Sequence, residues 1–117
     1  MEQTTIQELI NSYKVRFLPE KAAGKNFTMH FDIQGEGAQP FSIQVKDGAF
    51  TLSETLEGDA DCKMTADIDD YIKIETGKMS PTVAVFSGKV KVSNALKLPE
   101  FLQMFRGFVS VKKEGLL

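Results

Sequence analysis

The stretch from Asp59 to Ser93 leaves the least freedom in how this chain can fold. Cys62, Met64 and Ala66 alternate with Asp61, Lys63 and Thr65, which is the period of a half-buried strand. Asp67 follows as an N-cap, with Asp70 three positions on in the place of a capping-box partner. Ile68, Tyr71 and Ile72 share one helical face, and Gly77 ends that helix. Ser80-Pro81 starts another: the serine caps it, and the proline takes the first position, where its missing N–H costs nothing. Val83, Ala84, Val85 and Phe86 fill about two turns before Gly88. Val90 and Val92 then alternate with Lys89, Lys91 and Ser93 as a further strand. Two helices between two strands predict that those strands run parallel, with the helices over one face of a sheet.

The remaining segments fit around this unit. Thr5 and Glu8 have the spacing of a capping box, and Ile6, Leu9, Ile10, Tyr13 and Phe17 form one helical stripe. Leu18-Pro19 ends it. Phe27, Met29, Phe31 and Ile33 alternate with Thr28, His30, Asp32 and Gln34, the cleanest strand in the chain. After Gly35-Glu36-Gly37, Phe41, Ile43 and Val45 form the buried side of a second strand. Asp47-Gly48 then signals a two-residue hairpin into a third strand with Phe50 and Leu52. Pro99 opens a last helix that turns Phe101, Leu102, Phe105 and Phe108 inward; residues 109–117 show no period. The pattern is helix, three-strand meander, strand, two helices, strand, helix: an α+β layer with a five-stranded mixed sheet and helices on one face.

Length and composition narrow the class further. The 117 residues suit one domain, 1–117. A single Cys excludes an internal disulfide framework and fits a reducing, cytoplasmic setting. No run approaches the ~18 apolar residues of a membrane span, and the N-terminal stretch lacks the pattern of a secretory leader. The net charge of −2 is unevenly spread. Residues 1–70 hold 6 Lys/Arg against 13 Asp/Glu, whereas residues 71–117 hold 8 against 3. The asymmetry fits a chance dipole on a solvated surface, the reading favoured from sequence, or a basic end that meets an anionic lipid surface or an anionic headgroup.

Catalytic constellations are hard to assemble from these residues. His30 is the one histidine and falls in the polar register of its strand, which predicts a solvated side chain. Cys62 falls in the apolar register, as a buried inert thiol would. Asp59, Asp61, Asp67, Asp69 and Asp70 do not form a calcium loop, because Lys63 and Met64 stand where a ligand and a glycine are needed. Their spacing fits turns and a helix N-terminus. Gly35-x-Gly37 lacks a third glycine and precedes a strand, so it is not a dinucleotide loop. No metal and no cofactor is expected. Nor is nucleic acid, because basic and aromatic residues do not interleave on the strand faces. What stands out is a chain rich in Phe (9) and Met (5); residue counts alone favour an ordinary filled core, and the alternative is a core that opens into an adaptable apolar pocket.

The order and spacing of several segments resemble the sterol carrier protein type-2 family. They are FLPEKAAG, FDIQG, VKDG, GDADCKMT, DDYIKIETGKM and FSGKVKVS leading to Leu96-Lys97-Leu98. The resemblance implies a five-stranded sheet under helices with an apolar tunnel between the layers. It also implies binding or carriage of fatty acids, acyl-CoA, sterols or other lipids, without catalytic residues, in a stand-alone domain. Many members carry Gly-Asp after the last strand's serine where this chain has Asn94-Ala95. The candidate lining is Phe31, Ile33, Tyr71, Ile72, Val83, Phe86, Leu98, Phe101, Leu102 and Phe105. Expected partners are a lipid or other apolar small molecule, transiently an anionic membrane surface, and a second copy of the chain as a homodimer. The competing expectation is an interaction or dimerisation module of an enzyme, with a filled core.

Overall fold

The structure is a computed structural model and describes residues 4–117; the first three residues of the stretch tested for a leader lie outside it. Helix α1 (Ile6–Arg16) starts on a complete capping box. Thr5 Oγ1 accepts from the Glu8 amide at 3.1 Å, and the Glu8 carboxylate accepts from the Thr5 amide at 3.4 Å. Ile6, Leu9, Ile10 and Tyr13 turn into the core, as their spacing predicts. Pro19 opens a one-turn helix, α2 (Pro19–Ala22), which leads into β1 (Asn26–Gln34). Strands β2 (Phe41–Lys46) and β3 (Ala49–Ser53) complete a meander. Asp47 and Gly48 between them have φ of 42° and 82°, the doubly positive signature of a type I′ turn.

Next come β4 (Cys62–Asp67), α3 (Ile68–Glu75), α4 (Pro81–Phe86) and β5 (Val90–Val92). Asp67 caps α3 through the Asp69 amide at 3.0 Å, and Ser80 caps α4 through the Val83 amide. The sheet order is β3-β2-β1-β4-β5, with the nine-residue β1 at its centre. One expectation is corrected here. The strands flanking the two helices, β4 and β5, pair antiparallel, with Ala66 opposite Val90 and Met64 opposite Val92. Helices of eight and six residues run out and back, so the chain returns to the end of the sheet it left. The parallel pair is β1 with β4, Met29 opposite Cys62.

The chain's last part also differs from expectation. The helix opened by Pro99 is only α5 (Leu98–Leu102), and residues 108–113 form a separate helix, α6 (Phe108–Lys113). Between them Phe17 and Phe105 form an isolated antiparallel bridge, and the Arg106 amide donates to Arg16 O at 2.7 Å. Those backbone bonds to the end of α1 hold the segment extended, so the helix cannot continue through it.

The two faces of the sheet are unlike. Phe27, Met29, Phe31, Ile33, Phe41, Ile43 and Val45 are buried in one core with α1, α3, α5 and α6. The other face is polar, and the 54–61 segment crosses it on the way from edge strand β3 to β4. Ser42 Oγ donates to Thr55 O at 2.8 Å, His30 Nε2 donates to Glu57 O at 2.8 Å, and the Thr28 amide donates to the Asp61 carboxylate at 2.8 Å. His30 is therefore in the polar register but buried under this strap, not solvated. Its Nε2 must carry the hydrogen, because a carbonyl only accepts.

Gly35 couples this sheet to α3. Its φ is +111°, and a Cβ placed there would stand 2.9 Å from Asp67 Oδ1, the carboxylate capping α3. Gly37 has φ +78° with nothing within 4 Å of such a Cβ. Gly37→Ala is expected to show backbone strain alone, whereas Gly35→Ala should lose about 1 kcal/mol more by displacing the cap. Urea midpoints of the two variants at unchanged slope measure the difference. Equal losses would mean that the cap absorbs the methyl group.

Candidate functional site

The space between sheet and helices is occupied by aromatic rings in contact. Phe31 and Phe41 stack with centroids 4.5 Å apart. Tyr13 lies 5.8 Å from Phe31 and meets Phe105 edge-on at 5.5 Å. Phe101 joins Phe31 at 5.7 Å and Phe105 at 5.0 Å. These separations are those of favourable aromatic pairs, each worth about 0.5–1.5 kcal/mol beyond burial.

Of the residues expected to line an apolar site, Phe31, Ile33, Tyr71, Phe101 and Phe105 are brought together in this core. Ile72 and Leu98 are half-buried and pack against it. Val83, Phe86 and Leu102 point outward, at 60%, 88% and 52% exposure. On α4 the small Ala84 is the buried residue, which lets the helix lie close and turns its larger neighbours away. On α5, Phe101 takes the inward position and Leu102, 100° round the helix, does not.

The aromatic core ends in a polar knot that the sequence reading did not identify. The Tyr13 and Tyr71 hydroxyls are hydrogen-bonded at 2.6 Å, and Glu75 Oε2 lies within reach of both, at 3.3 and 3.2 Å; with one proton each, one hydroxyl donates to its neighbour and that neighbour donates to the carboxylate. Arg16 Nη1 donates to the same oxygen at 2.7 Å. Its Nε donates to Arg106 O at 2.8 Å, and its guanidinium carbon lies 4.3 Å from the Tyr13 ring centroid. The knot joins α1, α3 and the segment between α5 and α6. Burial disfavours the Arg16 cation, and the Tyr13 and Glu75 oxygens outweigh that, so the guanidinium stays charged. Burial, with Glu75 alongside, pushes both phenols up from their ordinary value of 10.0. A signal was present: Arg16 follows Leu9 and Tyr13 at helical spacing, on the buried stripe, where a charge requires a partner. Nothing in the sequence identified Glu75 as that partner.

Reactive groups are engaged elsewhere or buried. Cys62 is buried, its thiol pushed up by desolvation, and Sγ donates to Asn94 O at 3.5 Å. Among the described residues no three His, Cys, Asp or Glu side chains are grouped to hold a metal ion. No helix among them is long and apolar enough to cross a membrane. On the surface an open groove of about 740 Å³ runs between α3 and α6, lined by Ile72, Phe108 and Val109 with lysines from both helices.

Residues 7–104 match the model of the SCP-2 sterol transfer family. The chain belongs to that family. It is 34% identical over 83 residues to hydroxysteroid dehydrogenase-like protein 2 of Xenopus tropicalis, covering 70% of this chain and 20% of that protein. This chain spans only 11% to 26% of the curated relatives it matches. Among solved structures, the inverting sec-alkylsulfatase Pisa1 from Pseudomonas sp. superposes with a TM-score of 0.73 at 21% identity, over 90% of this chain and 17% of that one. The palmitated SCP2L2 of Aedes aegypti gives 0.65 at 16% identity, over 85% of this chain and 91% of that one. Both likenesses concern the fold. The five-stranded mixed sheet with helices on one face is the SCP-2 architecture.

The knot makes alkaline stability a direct readout, because the chain's 2 tyrosines are both in it and there is no Trp. Phenols raised in the folded state contribute stability that is fully present below the unfolded value of 10.0 and is lost as pH rises above it. The expected outcome is that tyrosinate absorbance appears only together with loss of circular dichroism. Ionisation of either tyrosine near pH 10 with the fold intact would show the knot open to solvent.

Proposed function

We propose that this SCP-2 chain is a non-catalytic lipid-binding and lipid-transfer protein. It holds fatty acids, acyl-CoA, sterols or similar apolar molecules between the sheet and its helical layer, in a reducing compartment such as the cytoplasm. The observation that carries this reading is the Phe-rich interior closed on one side by short helices. Family membership and the palmitated Aedes aegypti relative support it. Entry of a guest separates the α1, α3 and α5 rings from those of β1 and β2, and apolar ring faces replace ring–ring contacts with ring–lipid contacts. The polar knot keeps α1 and α3 together as that layer shifts. The lining would be Phe31, Ile33, Tyr71, Ile72, Leu98, Phe101 and Phe105. Val83, Phe86 and Leu102 contribute only after rotating inward.

Delipidated, folded protein titrated with a fluorescent fatty acid should bind saturably, and palmitate, acyl-CoA and sterols should compete. Selectivity among chain lengths should be shallow, because each methylene is worth about 0.8 kcal/mol. Absence of saturable binding across all three classes would sink the reading.

Loading from membranes is part of the same proposal. Phe86 and Leu96, at 88% and 93% exposure, flank exposed Lys89 and Lys91 along the chain, a combination suited to anionic lipid. Transfer from anionic vesicles should outpace transfer from neutral ones, and added salt should slow it. Leu96→Ser should slow transfer while leaving solution binding and stability nearly unchanged. Equal rates from both vesicle types at low salt would remove the membrane step.

A further inference from the structure

The α3/α6 groove lies outside the aromatic interior and has its own chemistry. Ile72 and Val109 form its exposed apolar surface, over the buried Phe108. Lys73 and Lys78 stand on the α3 side, Lys112 and Lys113 on the α6 side, and Asp69 is the one acidic lining residue. The walls meet closely where α3 ends: a Cβ on Gly77 would lie 3.7 Å from Val109 Cγ2. The Lys112 ammonium sits 5.8 Å from the Phe108 ring centroid, a cation held over the apolar floor. Among the described residues none of these four lysines forms a salt bridge.

Helix dipoles account for part of this. Lys73, Lys112 and Lys113 lie in the last turns of their helices, where cations are favoured. Lys78 lies beyond the end of α3, and the dipole gives no reason for an open apolar floor between the cations. The groove's volume of about 740 Å³ is that of a small-molecule site, within the usual range of roughly 300–1,000 Å³.

We infer that the α3/α6 groove binds a free single-chain anionic amphiphile, its chain along Ile72 and Val109 and its headgroup among the four lysines. A neutral amphiphile leaves the cations unpaired, and a bare anion leaves the apolar floor in water. The site stands independently of the interior lipid site.

The test uses dodecyl phosphate, dodecanol and inorganic phosphate as probes, with amide shifts followed by NMR at low salt. Dodecyl phosphate should shift amides of residues 72–78 and 108–113 saturably, and inorganic phosphate should not saturate there. The exposed pair Lys73→Glu/Lys78→Glu should weaken dodecyl phosphate by about tenfold, with the thermal melt lowered only by the lost helix-dipole stabilisation at Lys73. Dodecanol uptake read at Phe31 and Phe101 should be unaffected by the pair. Equal dodecanol and dodecyl phosphate affinity in the groove, no effect of the double reversal, or inorganic phosphate binding as tightly (an adventitious ion only) would overturn the inference. Shifts confined to the interior would overturn it while supporting the interior site. Groove shifts without interior uptake would uphold it and count against the interior reading.

Discussion

The helical layer depends on one buried charge. Arg16 lies among Tyr13, Ser12 and Glu75 with only 5% of its surface exposed. Transferring such an ion from water costs several kcal/mol, and a buried pair regains this only when its remaining donors are also bonded. Here they are: Glu75 takes Nη1, Arg106 O takes Nε, and the hydrogen-bonded pair of tyrosine hydroxyls donates one further proton to the carboxylate. No buried side-chain nitrogen or oxygen among the described residues lacks a partner. Removing Glu75 would strand the cation, a loss of about 3–5 kcal/mol against a total stability of roughly 5–15. The knot thus fixes which helices lie side by side. The aromatic contacts beneath it have no such directional requirement.

That contrast bears on carriage. Ring–ring contacts are short-ranged and weakly directional, so an apolar guest can replace them at small net cost. Charged hydrogen bonds in a buried site cannot be exchanged in that way. The polar face of the sheet is closed as well, because the strap from residue 54 to 61 is bonded to Ser42, His30 and Thr28. Under the proposed function, the interior layer open to a guest would be the one between β1, β2 and the short helices.

Much of this was legible from local pattern. The capping box at Thr5, the caps at Asp67 and Ser80, the Asp47-Gly48 hairpin and the alternation of β1 are signals within a few residues, and the fold keeps them, although Asp67 caps through the Asp69 amide without Asp70 completing a box. Errors arose where the outcome depends on distant segments. The direction of β5 depends on how two helices return the chain to the end of β4 it left. His30 is buried by a loop about 27 positions away in sequence, so its register was right and its solvation was not. The helix after Pro99 stops because residues 105 and 106 pair with the end of α1. Within the candidate lining, strand residues were easier to place than residues of α4 and α5. A strand in a one-sided sheet has a fixed inward register, while a helix of five or six residues is too short for its pattern to define a face.

The charge asymmetry takes on a physical meaning once the elements are in place. Acidic residues from the first part of the chain serve local structure: Asp67 caps α3, Asp61 holds the Thr28 amide, and Asp47 Oδ1 accepts from the Gly24 amide at 2.8 Å. These carboxylates are occupied by backbone donors. Several basic residues of the second part sit at helix C-termini, where the dipole favours them but leaves their ammonium groups directed to solvent. Dipole stabilisation of a cation does not consume its hydrogen-bonding capacity, whereas a cap bond occupies a lone pair of its carboxylate. The near-neutral net charge of −2 therefore understates how much positive charge remains available to an external anion. Around Lys73, Lys78, Lys112 and Lys113, that availability coincides with an open apolar floor. One arrangement then stabilises the helix ends and leaves a surface suited to an anionic headgroup with an attached chain.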